Sequence, residues 1–91
     1  SKFSAVEVIE EIIQGLKLQA EKKQIQLTFA TTDTPCFIVS DKLRFRQILT
    51  NIIGNAIKFT HKGYVAVTLK VLSEDITEIT VTDSGIGISA E

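Results

Sequence analysis

The chain has 91 residues and a formal net charge of −1, with ten basic and eleven acidic residues. This length fits one small domain or a piece of one, and the balanced charge argues against nucleic acid or a membrane surface as the main partner. The single cysteine, Cys36, cannot form an internal disulfide, which fits a reducing cytosol. No apolar run approaches the ~20 residues that a transmembrane helix needs. We therefore expect residues 1–91 to form one globular unit in the cytoplasm.

The N-terminal segment carries the signals of an amphipathic helix. Ser4 and Glu7 have the spacing of a capping box, and Phe3 and Val8 can form a hydrophobic staple. Apolar residues then recur at helical spacing along the segment. The pattern predicts that one face of this helix lies on a core and that its end, residues 21–24, lies in water.

Four strands are predicted, three from the alternation of apolar and polar residues and the second, residues 36–39, as a short apolar run after a turn. They are residues 25–30, 36–39, 64–71 and 78–82. The last two are separated by a tight polar connection, so they are expected to pair as an antiparallel hairpin.

A second helix is predicted at residues 41–62, between the second and third strands. Its apolar stripe, wide enough to pack on a sheet, consists of Phe45, Ile48, Leu49, Ile52, Ile53, Ala56 and Ile57. Its polar stripe, roughly opposite, consists of Arg44, Gln47, Asn51, Asn55 and Lys58. Asp41 or Ser40 can cap the start of this helix. Gly63 is expected to provide a left-handed stop after its last turn.

The polar stripe has two interpretations. Asparagine is a mediocre helix former, and Asn51 and Asn55 stand one turn apart with Lys58 one turn further on. This row could face a hydrated cation and phosphate oxygens. Polar residues on a helix more often simply face water, and the helix alone does not decide between the two.

The order of elements is helix, strand, strand, helix, strand, strand, and both helices have one apolar face. This order predicts an α+β fold, a two-layer α/β sandwich with a mixed, mainly antiparallel sheet and both helices on one face.

A second candidate constellation follows the last strand. Asp83 has the same parity as Ile79 and Val81, so it is predicted to point toward the helix layer and not toward water. A carboxylate there is costly unless it meets a donor, such as a purine amino group. Gly85 and Gly87 would let the backbone approach a ligand closely. The alternative is a Gly-rich turn that the aspartate caps. Since the second helix and the last strand should lie on facing layers, the aspartate and the polar stripe could flank one cleft.

Together these motifs resemble a known family. The run NIIGNAIKFT, preceded by DKLRFRQIL and followed by TDSGIGIS, resembles the N box and first Gly box of sensor histidine kinases. These kinases belong to the GHKL ATPase superfamily, which has the Bergerat fold. In the topoisomerase, chaperone and mismatch-repair branches, the position of Asn51 is typically a glutamate that activates water. An asparagine cannot act as a general base, so the resemblance favours phosphotransfer to a protein histidine and implies no catalytic side chain on this chain.

The resemblance implies ATP and Mg²⁺ as cofactors. Asn55 resembles the asparagine that coordinates Mg²⁺, with Asn51 as its helper on the same face. Lys58 matches the lysine near the outer phosphates. Mg²⁺ usually keeps several waters and takes few protein ligands, so one or two amide oxygens are sufficient.

The resemblance also implies an adenine site. Phe59 matches the aromatic residue beside the adenine. Asp83 matches the aspartate that accepts a hydrogen bond from the adenine amino group. Gly85 and Gly87 match the glycines that let the backbone pass close to the base.

Family members continue beyond the first Gly box into an ATP lid, a second Gly box and further core elements, which residues 1–91 do not contain. We therefore expect a C-terminally truncated Bergerat fold that is itself inactive, binds nucleotide weakly and self-associates through an exposed sheet edge. His61, the only histidine, is expected to be a surface residue and not the phosphate acceptor.

The expected partners are an acceptor-histidine dimerisation domain of the same protein and a response-regulator receiver domain, in a parent protein that could be membrane-anchored. The main alternative is a non-catalytic GHKL module that binds nucleotide or regulates a partner. An α/β scaffold without a ligand is a third possibility, but it leaves the placement of Asp83 unexplained.

Overall fold

The computed structural model describes residues 1–74 and 76–84. In chain order the elements are β1 (Lys2–Ser4), α1 (Ala5–Lys22), β2 (Ile25–Thr31), β3 (Phe37–Val39), α2 (Lys42–Phe59), β4 (Gly63–Val71) and β5 (Thr77–Asp83). Both predicted helices and all four predicted strands are present, with ends that differ by a few residues. The short strand β1 was not predicted. No helix among the described residues is long and apolar enough to span a bilayer.

The strands form two sheets. In the larger sheet β4 is central, parallel to β2 and antiparallel to β5, so the predicted hairpin is confirmed. The parallel pair requires a long crossover, which β3 and α2 provide. β1 and β3 form a separate two-stranded antiparallel sheet, so the prediction of one sheet containing all strands is wrong in this detail.

One face of the larger sheet packs on both helices. The buried core residues of that face are Ile25, Leu27, Val65, Val67 and Leu69, and they meet Ile9, Ile12, Ile13, Ile53 and Ile57 of the helices. Full burial of each such side chain contributes about 1.5–3 kcal/mol. The other face carries exposed polar residues such as Gln26, Thr28, Thr68 and Thr80. The predicted two-layer sandwich with helices on one face is therefore confirmed.

Both helices begin at the predicted caps. The side chain of Ser4 accepts a hydrogen bond from the Glu7 N–H at 3.2 Å, and Asp41 accepts one from the Arg44 N–H at 3.0 Å. Of the two candidates for the second cap, the structure selects Asp41, because Ser40 lies outside the helix and its N–H pairs with the Ser1 carbonyl.

The apolar stripe of α2 is narrower than predicted. Leu49, Ile53 and Ile57 are buried, but Ile48 and Ile52 are 50% and 46% exposed. The three buried residues are four positions apart and form one row toward the core. Successive residues of a helix are rotated by about 100° around its axis. Ile48 and Ile52 each precede a buried residue by one position, so they lie at the edge of the contact between α2 and the core.

The end of α2 also differs from the prediction. The helix ends at Phe59 with Thr60 as its C-cap, not near residue 62. Gly63 has φ of +116°, but it begins β4 and does not stop the helix. Its conformation belongs to a close contact with Ser84, the residue that follows β5.

Candidate functional site

The polar stripe of α2 is exposed along its whole length, from Arg44 to Lys58. Spacings of three and four residues bring Asn51, Asn55 and Lys58 onto one side of the helix. Among residues 1–74 and 76–84, no cluster of three or more acidic, histidine or cysteine side chains could hold a metal ion. Amide oxygens are suitable ligands for Mg²⁺ when phosphate oxygens and waters complete the shell, so the exposed Asn51 and Asn55 fit such an ion.

A cation and an aromatic ring lie side by side at the end of α2. The Lys58 ammonium is 5.5 Å from the centroid of the Phe59 ring, within the range of a cation–π contact. Phe59 is 51% exposed. An exposed ring can lie against a planar base, and the neighbouring ammonium can attract phosphate. This arrangement suits a ligand that has both groups.

The last turn of α2 is held by a residue from the other helix. The Lys23 ammonium donates hydrogen bonds to the carbonyl of Ile57 at 2.8 Å and to that of Lys58 at 2.7 Å. The prediction that the end of α1 lies in water is therefore wrong for Lys23, which is half-buried. Sequence reasoning missed it because no local pattern indicates a contact between residues 34 or 35 positions apart.

Asp83 is the last residue of β5 and pairs with Val65 of β4. Opposed residues of an antiparallel pair point to the same face, and Val65 is fully buried, so the predicted parity is correct. The carboxylate is nevertheless exposed, and the prediction that it avoids water is wrong. β5 is an edge strand among the described residues and Asp83 is its final position, so no described element covers the carboxylate.

Ser84 attaches the strand end that bears Asp83 to the beginning of β4. Its N–H donates to the Tyr64 carbonyl at 3.0 Å, and its hydroxyl donates to the Lys62 carbonyl at 2.9 Å. The Tyr64 N–H in turn donates to the Ser84 hydroxyl at 3.4 Å. A Cβ on Gly63 would lie 2.2 Å from Ser84 Oγ, so glycine makes this close approach possible.

This attachment places Asp83 at the same end of the sheet as Lys58 and Phe59. β4 begins just after α2 ends, and its first residues pair with the last residues of β5. Strand β5 also contacts α2 directly. Five of the seven predicted site residues, those other than Gly85 and Gly87, thus lie on α2 or at the strand end beside it. Gly85 and Gly87 lie outside the described residues.

One buried polar atom lies at the C-cap of α2. Thr60, the C-cap of α2, is only 1% exposed, and its hydroxyl has no hydrogen-bond partner among the described residues. Buried hydroxyls are normally satisfied by protein or water. Thr60 therefore marks a polar position directly beside Phe59. His61, the next residue, is exposed as predicted.

Comparison with known proteins shows the family of the chain. The profile of the family described as histidine kinase-, DNA gyrase B-, and HSP90-like ATPase matches residues 40–91. Histidine kinase 5 of Arabidopsis thaliana is 43% identical over 81% of this chain. Sensor protein GacS of Pseudomonas syringae pv. syringae is 38% identical over 98% of it. The chain spans only 8% and 10% of the lengths of these two relatives.

Solved structures show the same fold and identify the family. The catalytic domain of histidine kinase ThkA superimposes on 93% of this chain with a TM-score of 0.88 and 26% identity, and the chain covers 56% of it. In a crystal structure of ThkA in complex with the response regulator protein TrrA, the kinase superimposes with a TM-score of 0.83 and 25% identity, covering 93% of this chain and 25% of that one. The chain therefore belongs to the family of histidine kinase-, DNA gyrase B- and HSP90-like ATPases, on its histidine kinase branch.

Proposed function

We propose that this chain is the N-box and first Gly-box part of the ATP-binding domain of a two-component sensor histidine kinase. The whole protein would transfer the terminal phosphoryl group of ATP to a histidine on its dimerisation domain, in the cytoplasm. The observation that carries the proposal is the arrangement at the end of α2. Asn55, Lys58 and Phe59 are exposed on this helix, and Ser84, which follows Asp83, is bonded to Lys62 just after the helix ends.

Each residue would have one task. The amide oxygen of Asn55, assisted by Asn51, would hold Mg²⁺, which neutralises phosphate charge when bound. Lys58 would attract the outer phosphates. Phe59 would lie against the adenine, and the Asp83 carboxylate would accept a hydrogen bond from its amino group. Phosphoryl transfer depends mainly on such positioning and charge stabilisation.

The side chain of Asn51 supports transfer to a protein side chain over hydrolysis. A neutral amide cannot take a proton from an attacking water, so this position cannot supply a general base. The acceptor histidine would come from the dimerisation domain. A receiver domain would be the next partner, as the complex of ThkA with a response regulator suggests.

Isothermal titration of the full-length protein with Mg-ATP tests the proposal. Asn55→Ala should weaken Mg-ATP binding far more than metal-free binding of adenosine, because the amide acts through the metal. Gln47→Ala is the matched control, since Gln47 is an exposed amide on the same stripe with no assigned role. Equal effects of the two variants would contradict the proposed metal ligand.

The titration, combined with an assay of ³²P transfer from ATP, separates the kinase from its main alternative. Binding of Mg-ATP together with ³²P transfer from ATP to the protein would support a kinase. Binding without transfer, in a protein that retains a dimerisation domain, would support a non-catalytic nucleotide-binding module. Circular dichroism of each variant shows whether α2 remains intact.

A further inference from the structure

We propose that Lys23 is a positioning residue that orients Lys58 for the nucleotide phosphates. The inference rests on the proposed function, because it is that function which assigns Lys58 to the phosphates. Lys23 lies in the turn between α1 and β2, distant in sequence from both motifs.

The geometry of the contact supports this role. The two carbonyls that the Lys23 ammonium contacts, at 2.8 and 2.7 Å, belong to the peptide groups on either side of the Lys58 Cα. Because each peptide group is planar, the backbone at Lys58 rotates only about φ and ψ. Holding both carbonyls restrains these two rotations, and with them the direction in which the Lys58 side chain leaves the helix.

Among the described residues, no other group bonds both of these carbonyls. The last carbonyls of a helix have no partner within it. The Ile57 carbonyl also accepts a long bond from the Thr60 N–H, at 3.4 Å, but no other described group donates to the Lys58 carbonyl. Hydrogen bonds donated by an ammonium are stronger than those between neutral groups. The positive charge of the Lys23 ammonium also interacts favourably with the negative C-terminal end of the helix dipole.

Lys23 is itself held in a tight turn. Its N–H donates to the Ala20 carbonyl at 3.0 Å, and the next N–H, of Gln24, donates to the Glu21 carbonyl at 2.9 Å. Gln24 has φ of +60°, which turns the chain directly from α1 into β2. The base of the Lys23 side chain is thus fixed on α1 while its ammonium reaches α2.

A purely structural role makes a different prediction. If Lys23 only joined α1 to α2, its removal would lower stability and weaken every ligand equally. If it positions Lys58, its removal should weaken phosphate-bearing ligands selectively, because Lys58 acts on the phosphates.

The experiment compares three variants in the full-length protein by titration with Mg-ATP and with adenosine, and by thermal unfolding. Lys23→Met keeps the stem and removes the ammonium, and should weaken Mg-ATP binding about tenfold, as loss of a charge-assisted pair predicts, but adenosine less. Lys23→Arg should recover most of the affinity, because a guanidinium can also donate to two carbonyls. Lys22→Met, at the exposed neighbouring lysine, is the matched control and should change nothing. Lys23→Gln provides the same comparison if the Met variant does not fold.

Two results would overturn the inference. One is unchanged Mg-ATP affinity in Lys23→Met. The other is an equal loss for Mg-ATP and adenosine that Lys23→Arg does not restore. Asn55→Ala, measured alongside, distinguishes the two proposals. If Asn55→Ala keeps full Mg-ATP affinity, the proposed function fails; if it loses affinity while Lys23→Met does not, only the role of Lys23 fails.

Discussion

Replacing Gly63 with alanine should strongly destabilise the strand end that bears Asp83. A Cβ at this position would lie 2.2 Å from Ser84 Oγ and 2.9 Å from Ser84 Cβ, so the serine side chain must move. Its movement sacrifices the hydroxyl bonds to Lys62 and Tyr64. Two lost bonds cost about 1–3 kcal/mol, and a non-glycine residue at φ of +116° adds about 1–3 kcal/mol.

The total, about 2–6 kcal/mol, is a large part of the ~5–15 kcal/mol by which a typical domain is stable. Urea unfolding followed by circular dichroism measures it, and a double-mutant cycle isolates its steric part. In a Ser84→Gly background the clash is absent, so Gly63→Ala should cost only the backbone strain. Gly54→Ala is the control, because a Cβ there meets nothing within 4 Å and alanine favours a helix. Equal costs of Gly63→Ala in both backgrounds would refute the steric argument.

Three further predictions concern the nucleotide site and the chain as a whole. Asp83→Asn replaces an acceptor with a donor facing the adenine amino group and should cost about 1–3 kcal/mol of ATP binding in the full-length protein; unchanged affinity and unchanged discrimination against GTP would show that the assignment is wrong. Thr60→Val removes a hydroxyl that has no partner among the described residues, at similar side-chain volume, and should leave stability equal or higher in urea unfolding; a loss above ~1 kcal/mol would mean that the hydroxyl has a partner. Residues 1–91 alone should bind Mg-ATP more weakly than micromolar and self-associate through the β5 edge, which titration and light scattering at several concentrations would measure; micromolar affinity or a monomer throughout would contradict these expectations.

The fold was largely predictable because its signals are local. Ser4 and Asp41 cap their helices by contacts within three residues, and alternation identified the β4–β5 hairpin. β1 was missed because Phe3 and Ser4 carry the signals of a helix start, a staple and a cap, which left no separate strand signal before α1. Its pairing with β3 joins Lys2 to Val39, and no local pattern indicates such a distant partner.

The grouping of the candidate residues on α2 was predictable from the sequence, but the contacts that support them were not. Spacing alone brings Asn51, Asn55 and Lys58 together, because helix geometry fixes their common side. The contacts of Lys23 with α2 and of Ser84 with β4 depend on how distant segments pack, which the motifs do not encode. The exposure of Asp83 was missed for a related reason, since parity gives the face of a strand but not what covers its end.

The most direct test of nucleotide binding on α2 is a crystal structure of the full-length protein with Mg²⁺ and a non-hydrolysable ATP analogue. The proposed function predicts the metal at the Asn55 amide oxygen, the adenine amino group at the Asp83 carboxylate and the Phe59 ring against the base. A nucleotide bound elsewhere would contradict it, for example in the open cleft between α1 and β2 that Glu10, Lys17 and Thr28 line.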